Sequence, residues 1–213
     1  MMKSFLLTAV FSIATFAVSL TLAADNKLYE TPPPGSAFVR VFNYQTDNAI
    51  GTVNLGKKSV AQIAPGNSSD FVFVDAKQAS IILDKVDYPV ALTEGKFFNL
   101  VFDGKVVKTV EISALKDKRK GLIHLVNLTD QPVDLKTLKG DVDVVPGIAS
   151  FSSGERAINP VKIAFSAYSG GQRLLETSEI YLDRGRSGSL FVFKKNGAAN
   201  YYWVEDKLAA TNK

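Results

Sequence analysis

Cysteine is absent from the 213 residues and histidine occurs once. Disulfides, thiol nucleophiles, Cys/His zinc sites and His-rich metal clusters are therefore excluded within this chain. Proline (8) and glycine (15) are too sparse for a low-complexity or collagen-like chain. No sign of charge dominates: 25 basic against 21 acidic residues give a formal +4. That balance permits contact with an anionic polymer without requiring it, and no nucleic-acid partner is expected. Long helical patterning is missing too, since no window beyond Glu30 sustains apolar spacing of three and four. What remains is a chain that is 46% hydrophobic with 14 Phe and 7 Tyr, enough for a packed interior.

One apolar run stands out. Met1-Met2-Lys3 gives a positive start, Phe5 to Leu22 is uncharged, and small residues close the run at Ala23-Ala24. This order is that of a signal peptide over residues 1–24, cleaved after Ala23 or Ala24. A retained membrane anchor is the competing reading, because the run approaches spanning length. Ser4, Thr8, Ser12, Thr15, Ser19 and Thr21 dilute it and favour the signal peptide. Loss of Lys3 leaves the mature chain mildly basic, at 24 − 21 = +3.

The body repeats itself. Phe38-Val39-Arg40-Val41-Phe42-Asn43 matches Leu122-Ile123-His124-Leu125-Val126-Asn127, and Ile63-Ala64-Pro65-Gly66 matches Val144-Val145-Pro146-Gly147. Leu92-Thr93-Glu94-Gly95 matches Leu182-Asp183-Arg184-Gly185, each leading into an apolar run. Both copies consist of short Val-, Ile- and Phe-rich runs divided by turn signals such as Asp103-Gly104, Ser169-Gly170-Gly171 and Asn196-Gly197. The fold class is all-β: two tandem antiparallel β-sandwich domains on a short basic linker. The expected division is an N-terminal sandwich over 25–115, a linker over 116–121, a C-terminal sandwich over 122–205 and a tail over 206–213.

Chemistry is hard to assemble from these residues. A serine nucleophile needs a nearby base and an orienting acid. The sole imidazole, His124, occupies the repeat position of Arg40, which reads as a polar, partly exposed sheet position. No serine stands in a Gly-x-Ser-x-Gly elbow, and no Gly-rich phosphate cradle with its lysine occurs. Asp141 and Asp143 would share a face on a regular strand, a spacing that most often marks a solvent face. No catalytic residue, metal site or cofactor is therefore expected, and the chain reads as a non-enzyme. Binding surfaces are the better candidates. Phe38, Arg40 and Phe42 form one face of a strand and would suit a protein partner if exposed. Lys116, Lys118, Arg119 and Lys120 form a basic patch for an acidic partner. Tyr201, Tyr202 and Trp203 offer flat faces for sugar rings, or pack as a last strand.

The segment Leu28-Tyr29-x-x-x-Pro33-x-Gly35-Ser36-x-Phe38-Val39-Arg40, followed by Asn43, resembles the opening of the AlgF family. Ile158-Asn159-Pro160-Val161-Lys162 and the linker Lys116-Asp117-Lys118-Arg119-Lys120 resemble later family segments, so the likeness runs from Leu28 to about Trp203. The resemblance implies a periplasmic accessory role in O-acetylation of alginate, an exopolysaccharide. It also implies partners: periplasmic SGNH-type O-acetyltransferases and an inner-membrane acyltransferase, with the anionic polysaccharide itself as a further ligand. The implied role is a non-catalytic adaptor peripheral to the membrane complex; the alternative is a polysaccharide-binding module, with acetylated cellulose as an alternative polymer.

Overall fold

A computed structural model describes residues 31–78 and 80–210. The signal peptide expected over 1–24 lies outside the described residues. The described chain is built from strands and contains no helix. The N-terminal half carries β1 (Ser36–Asn43), β2 (Val53–Leu55), β3 (Lys58–Val60), β4 (Val72–Asp75), β5 (Ser80–Leu83), β6 (Val86–Pro89), β7 (Phe97–Phe102) and β8 (Val107–Ile112). The C-terminal half begins with β9 (Gly121–Asn127), β10 (Val133–Thr137), β11 (Asp143–Ile148), β12 (Ser152–Ile158) and β13 (Val161–Ile163). It ends with β14 (Phe165–Ser169), β15 (Gln172–Glu176), β16 (Ile180–Leu182), β17 (Ser187–Lys195) and β18 (Ala198–Glu205).

Each half is a two-sheet sandwich. Sheets β4-β1-β7-β8 and β3-β2-β5-β6 enclose a core that includes Val39, Val41, Leu55, Leu83 and Leu100. Sheets β12-β9-β17-β18 and β11-β10-β14-β15 enclose Ile123, Leu125, Leu135, Phe165 and Leu190, with the pair β13-β16 alongside. Most neighbours run antiparallel, but each half holds one parallel pair, β1 with β7 and β9 with β17. Parallel neighbours require a crossover, which the intervening strands of each half provide.

The sequence repeat is a structural repeat down to single hydrogen bonds. Asn43 and Asn127 end β1 and β9, and each donates its carboxamide to two backbone carbonyls: Asn48 and Ile63 in one half, Gln131 and Ile148 in the other. Gly95 and Gly185 both turn at φ 72, a left-handed conformation that glycine adopts without a Cβ clash. Their amides donate to Ser36 O and Lys120 O at the mouths of β1 and β9. The Asp103-Gly104 hairpin joins β7 to β8, with Asp103 Oδ1 accepting from the amides of Lys105 and Val106.

The halves stack through the outer faces of their β1- and β9-containing sheets. Phe42, Phe71, Val101, Val110 and Ile112 from one side meet Val126, Leu128, Phe191 and Phe193 from the other in a third apolar core. Phe42 lies parallel to Phe191, with ring centroids 4.4 Å apart. At the rim Phe151 packs against Tyr44 while Lys108 caps its ring 3.8 Å from the centroid. Phe151 holds φ at 50, an uncommon conformation for a bulky residue that this cross-half packing maintains. β1 and β9 are consequently buried on both faces, and every residue of β9 is buried.

Candidate functional site

Parallel register sets the polar centre of the molecule. Arg40 on β1 pairs with Asn99 on β7, and at the equivalent position in the other half His124 on β9 pairs with Ser189 on β17. All four side chains are buried. Arg40 Nε donates to Asn99 Oδ1 at 2.5 Å. The counter-charge comes from neither central strand but from Asp206, just past the end of β18.

The Asp206 carboxylate gathers three neighbours. Its Oδ1 lies 2.9 Å from Arg40 Nη1 and accepts from Ser189 Oγ at 2.8 Å, while Oδ2 faces His124 Nδ1 at 3.0 Å. His124 Nε2 lies 3.0 Å from the Ser113 carbonyl. Both imidazole nitrogens thus face acceptor oxygens. The Arg40 contact is an ion pair by distance, although its N–H is not aimed along a hydrogen bond and Nη2 finds no acceptor. Instead the guanidinium lies over Phe71 and Phe191, at 4.4 and 5.1 Å from their centroids.

Burial pushes the Asp206 carboxyl up, but Arg40 and the bonds from His124 and Ser189 outweigh it, so the group titrates below the usual carboxylate range. Burial pulls the Arg40 guanidinium down, and Asp206 partly offsets this. Serine, histidine and aspartate therefore meet, but not as hydrolytic machinery. The serine hydroxyl donates its hydrogen bond to the carboxylate instead of to an imidazole base, and the group is closed to solvent. The arrangement neutralises buried charge.

Several sequence expectations change here. His124 is not partly exposed; it is 1% exposed and belongs to the junction. Arg40 and Phe42 are wholly buried at the junction with the chain's other half, and Phe38 is half-buried against Phe97 of its own half, so the three do not form one exposed stripe. Asp141 and Asp143 do not share a strand face: Asp141 lies in the turn before β11 and accepts from Thr137 Oγ1, while Asp143 pairs with Lys136 at 2.8 Å. Asp206 went unremarked in the sequence because it follows the last strand in a segment that reads as tail.

The basic candidates are at the surface. Lys116, Lys118 and Arg119 are exposed and Lys120 is half-buried; Arg119 pairs with Asp117, and Lys120 Nζ donates to Asn159 Oδ1. The Gly185–Lys120 backbone bond brings exposed Arg184 and Arg186 beside them, a cluster that separation along the chain had hidden. Tyr201, Tyr202 and Trp203 are half-buried. Tyr202 turns toward the junction, and Tyr201 accepts from the Ser178 amide. The benzo edge of the Trp203 indole lies over Gly188, where a Cβ would collide with it. Trp203 also borders a shallow groove of about 280 Å³ with Tyr181, Arg186 and Glu205.

Among the described residues no helix is long and apolar enough to cross a membrane. A family described as "Alginate O-acetyl transferase AlgF" matches residues 8–189. The chain is 32% identical to the "Alginate biosynthesis protein AlgF" of Pseudomonas fluorescens, over 95% of this chain and 92% of that protein. It is 34% identical to the protein of the same description from Azotobacter vinelandii, over 86% and 84% respectively. Among solved structures, the C-terminal domain of AlgF from P. aeruginosa aligns at 32% identity and TM-score 0.38, covering 41% of this chain and 98% of that domain.

Proposed function

This chain belongs to the AlgF family, whose members serve alginate biosynthesis and O-acetylation, and on that premise we propose that it is a non-catalytic periplasmic adaptor of the acetylation machinery. It reaches the periplasm by cleavage after Ala23 or Ala24 and stays peripheral to the inner membrane. There it bridges an inner-membrane acyltransferase and periplasmic SGNH-type O-acetyltransferases, raising their effective concentration at the polymer. One observation carries the reading: the meeting of serine, histidine and acid is buried at the junction of the two halves, away from solvent. What faces solvent is a basic edge, Lys116, Lys118, Arg119 and Lys120 with Arg184 and Arg186, suited to an acidic protein surface.

Cross-linking the tagged protein in an acetylating cell tests this. Recovery of an acetyltransferase or the membrane acyltransferase is expected, reduced by charge reversal at Lys116, Lys118, Arg119 and Lys120. Recovery of neither would refute it. A second reading, a polysaccharide-binding module, draws on the groove beside Trp203 and Tyr181. Titration with mannuronate oligomers separates the two, since an adaptor acting through protein contacts alone gives no heat at low or high salt.

A further inference from the structure

The residues after β18 cross from one half to the other. Asp206 keeps its amide in the C-terminal half, bonded to Ser187 O at 2.8 Å. Lys207 O then accepts from Phe71 N at 3.0 Å, and Ala209 N donates to Phe71 O at 2.7 Å, so the segment adds a short parallel bridge just before β4. Leu208 packs on the junction core and Ala209 on the core of the N-terminal half. The same segment supplies the carboxylate that faces one side chain from each half, the Arg40 guanidinium and the His124 imidazole. Without it, the buried Arg40 guanidinium would have no counter-charge, and an unpaired charge in a low-dielectric junction is strongly unfavourable.

Each half also has a complete core of its own, and the connector 113–120 contains no strand. The connector's tie at the junction is the Ser113 carbonyl, held by His124.

We propose that Asp206–Ala209 is a latch that decides whether the protein is one rigid body or two sandwiches moving independently on the connector. Seated, it neutralises the junction and pins the N-terminal half through Phe71. Withdrawn, it leaves each sandwich intact and the junction held by its apolar core and the Ser153–Glu111 bond, with the Arg40 charge unpaired inside it, which favours separation. This inference does not depend on the adaptor reading.

The mature full-length protein tests it, by backbone ¹⁵N relaxation and by trypsin cleavage within 116–120. In the unaltered protein one rotational correlation time is expected for both halves, with slow cleavage. Asp206→Asn removes the charge, and Ala209→Pro removes the donor to Phe71 while leaving the buried charges in place. Both are expected to give two shorter correlation times, with well-dispersed amide spectra for each half and connector cleavage at least about tenfold faster. Adding Arg40→Met to Asp206→Asn removes the uncompensated cation and is expected to slow cleavage again. A single correlation time and unchanged cleavage in both single variants would overturn the latch. So would joint loss of dispersion in both halves, which would make the segment part of one indivisible fold. Unchanged cleavage on adding Arg40→Met would overturn the electrostatic part.

Discussion

The stability cost of removing the Asp206 charge follows from the burial of its partners. Asparagine at 206 keeps nearly the same shape and can still accept from Ser189, so the perturbation removes the charge together with the one acceptor oxygen that faces His124. The side chains of Arg40 and Asp206 are 0% and 5% exposed. Breaking such a buried pair by removing one member costs about 3–5 kcal/mol, because the remaining charge has no solvent to return to. At roughly 2–4 °C per kcal/mol for a chain of this size, the melting temperature should fall by about 6–20 °C. Lys96→Ala is the control: Lys96 pairs with Glu111 across half-exposed surface, where such pairs contribute about 0–1 kcal/mol. Thermal unfolding followed by circular dichroism and calorimetry at neutral pH measures both. The pH dependence has a definite sign. The folded carboxyl titrates below its unfolded value, so its contribution is complete above the ordinary aspartate range and fades as pH falls through the folded value. Native protein and Asp206→Asn should differ most near neutrality and converge in strong acid. A loss under about 1 kcal/mol, or a difference that grows on acidification, would refute the reasoning.

Phe42→Ala and Phe191→Ala should each cost about 3–5 kcal/mol. Their double-mutant cycle should show about 0.5–1.5 kcal/mol of coupling across the two halves, read by urea unfolding; strict additivity would contradict a shared core. Gly188→Ala should displace the indole of Trp203, the single tryptophan, shifting its fluorescence and costing about 1–3 kcal/mol; unchanged emission would contradict the close approach. Asn43→Ala and Asn127→Ala should each cost roughly 2–3 kcal/mol, because each strands carbonyls held by the carboxamide. Similar losses in the two variants are the signature of the structural repeat, whereas indifference at either position in chemical denaturation would contradict it.

The strand content, the duplication and the turns were all legible in the chain. Gly95 and Gly185, Asn43 and Asn127, and Arg40 and His124 are matched pairs in the sequence and perform matched tasks in the fold. The surface position of Lys116, Lys118 and Arg119 also follows from local composition, since a charged run has nothing apolar to bury. The face of β1 that carries Phe38, Arg40 and Phe42 was legible as a face, but its destination was not. Alternation with period two reveals the buried side of a strand when the other side meets water. Here Val39 and Val41 fill one sandwich while Arg40 and Phe42 fill the junction, so both sides are sheltered and the pattern is silent about direction.

Asp206 shows the same limit more sharply. Nothing around it in the sequence indicates a buried acid, because its burial arises from groups far along the chain: His124 is 82 positions away, and Arg40 lies in the other half. Local sequence determined that the chain makes two similar β-sandwiches, since propensity, turn chemistry and alternation act over a few residues. Only the tertiary structure decided that the sandwiches share a core and a buried charge, because both depend on which outer surfaces are pressed together and on where the last few residues come to rest.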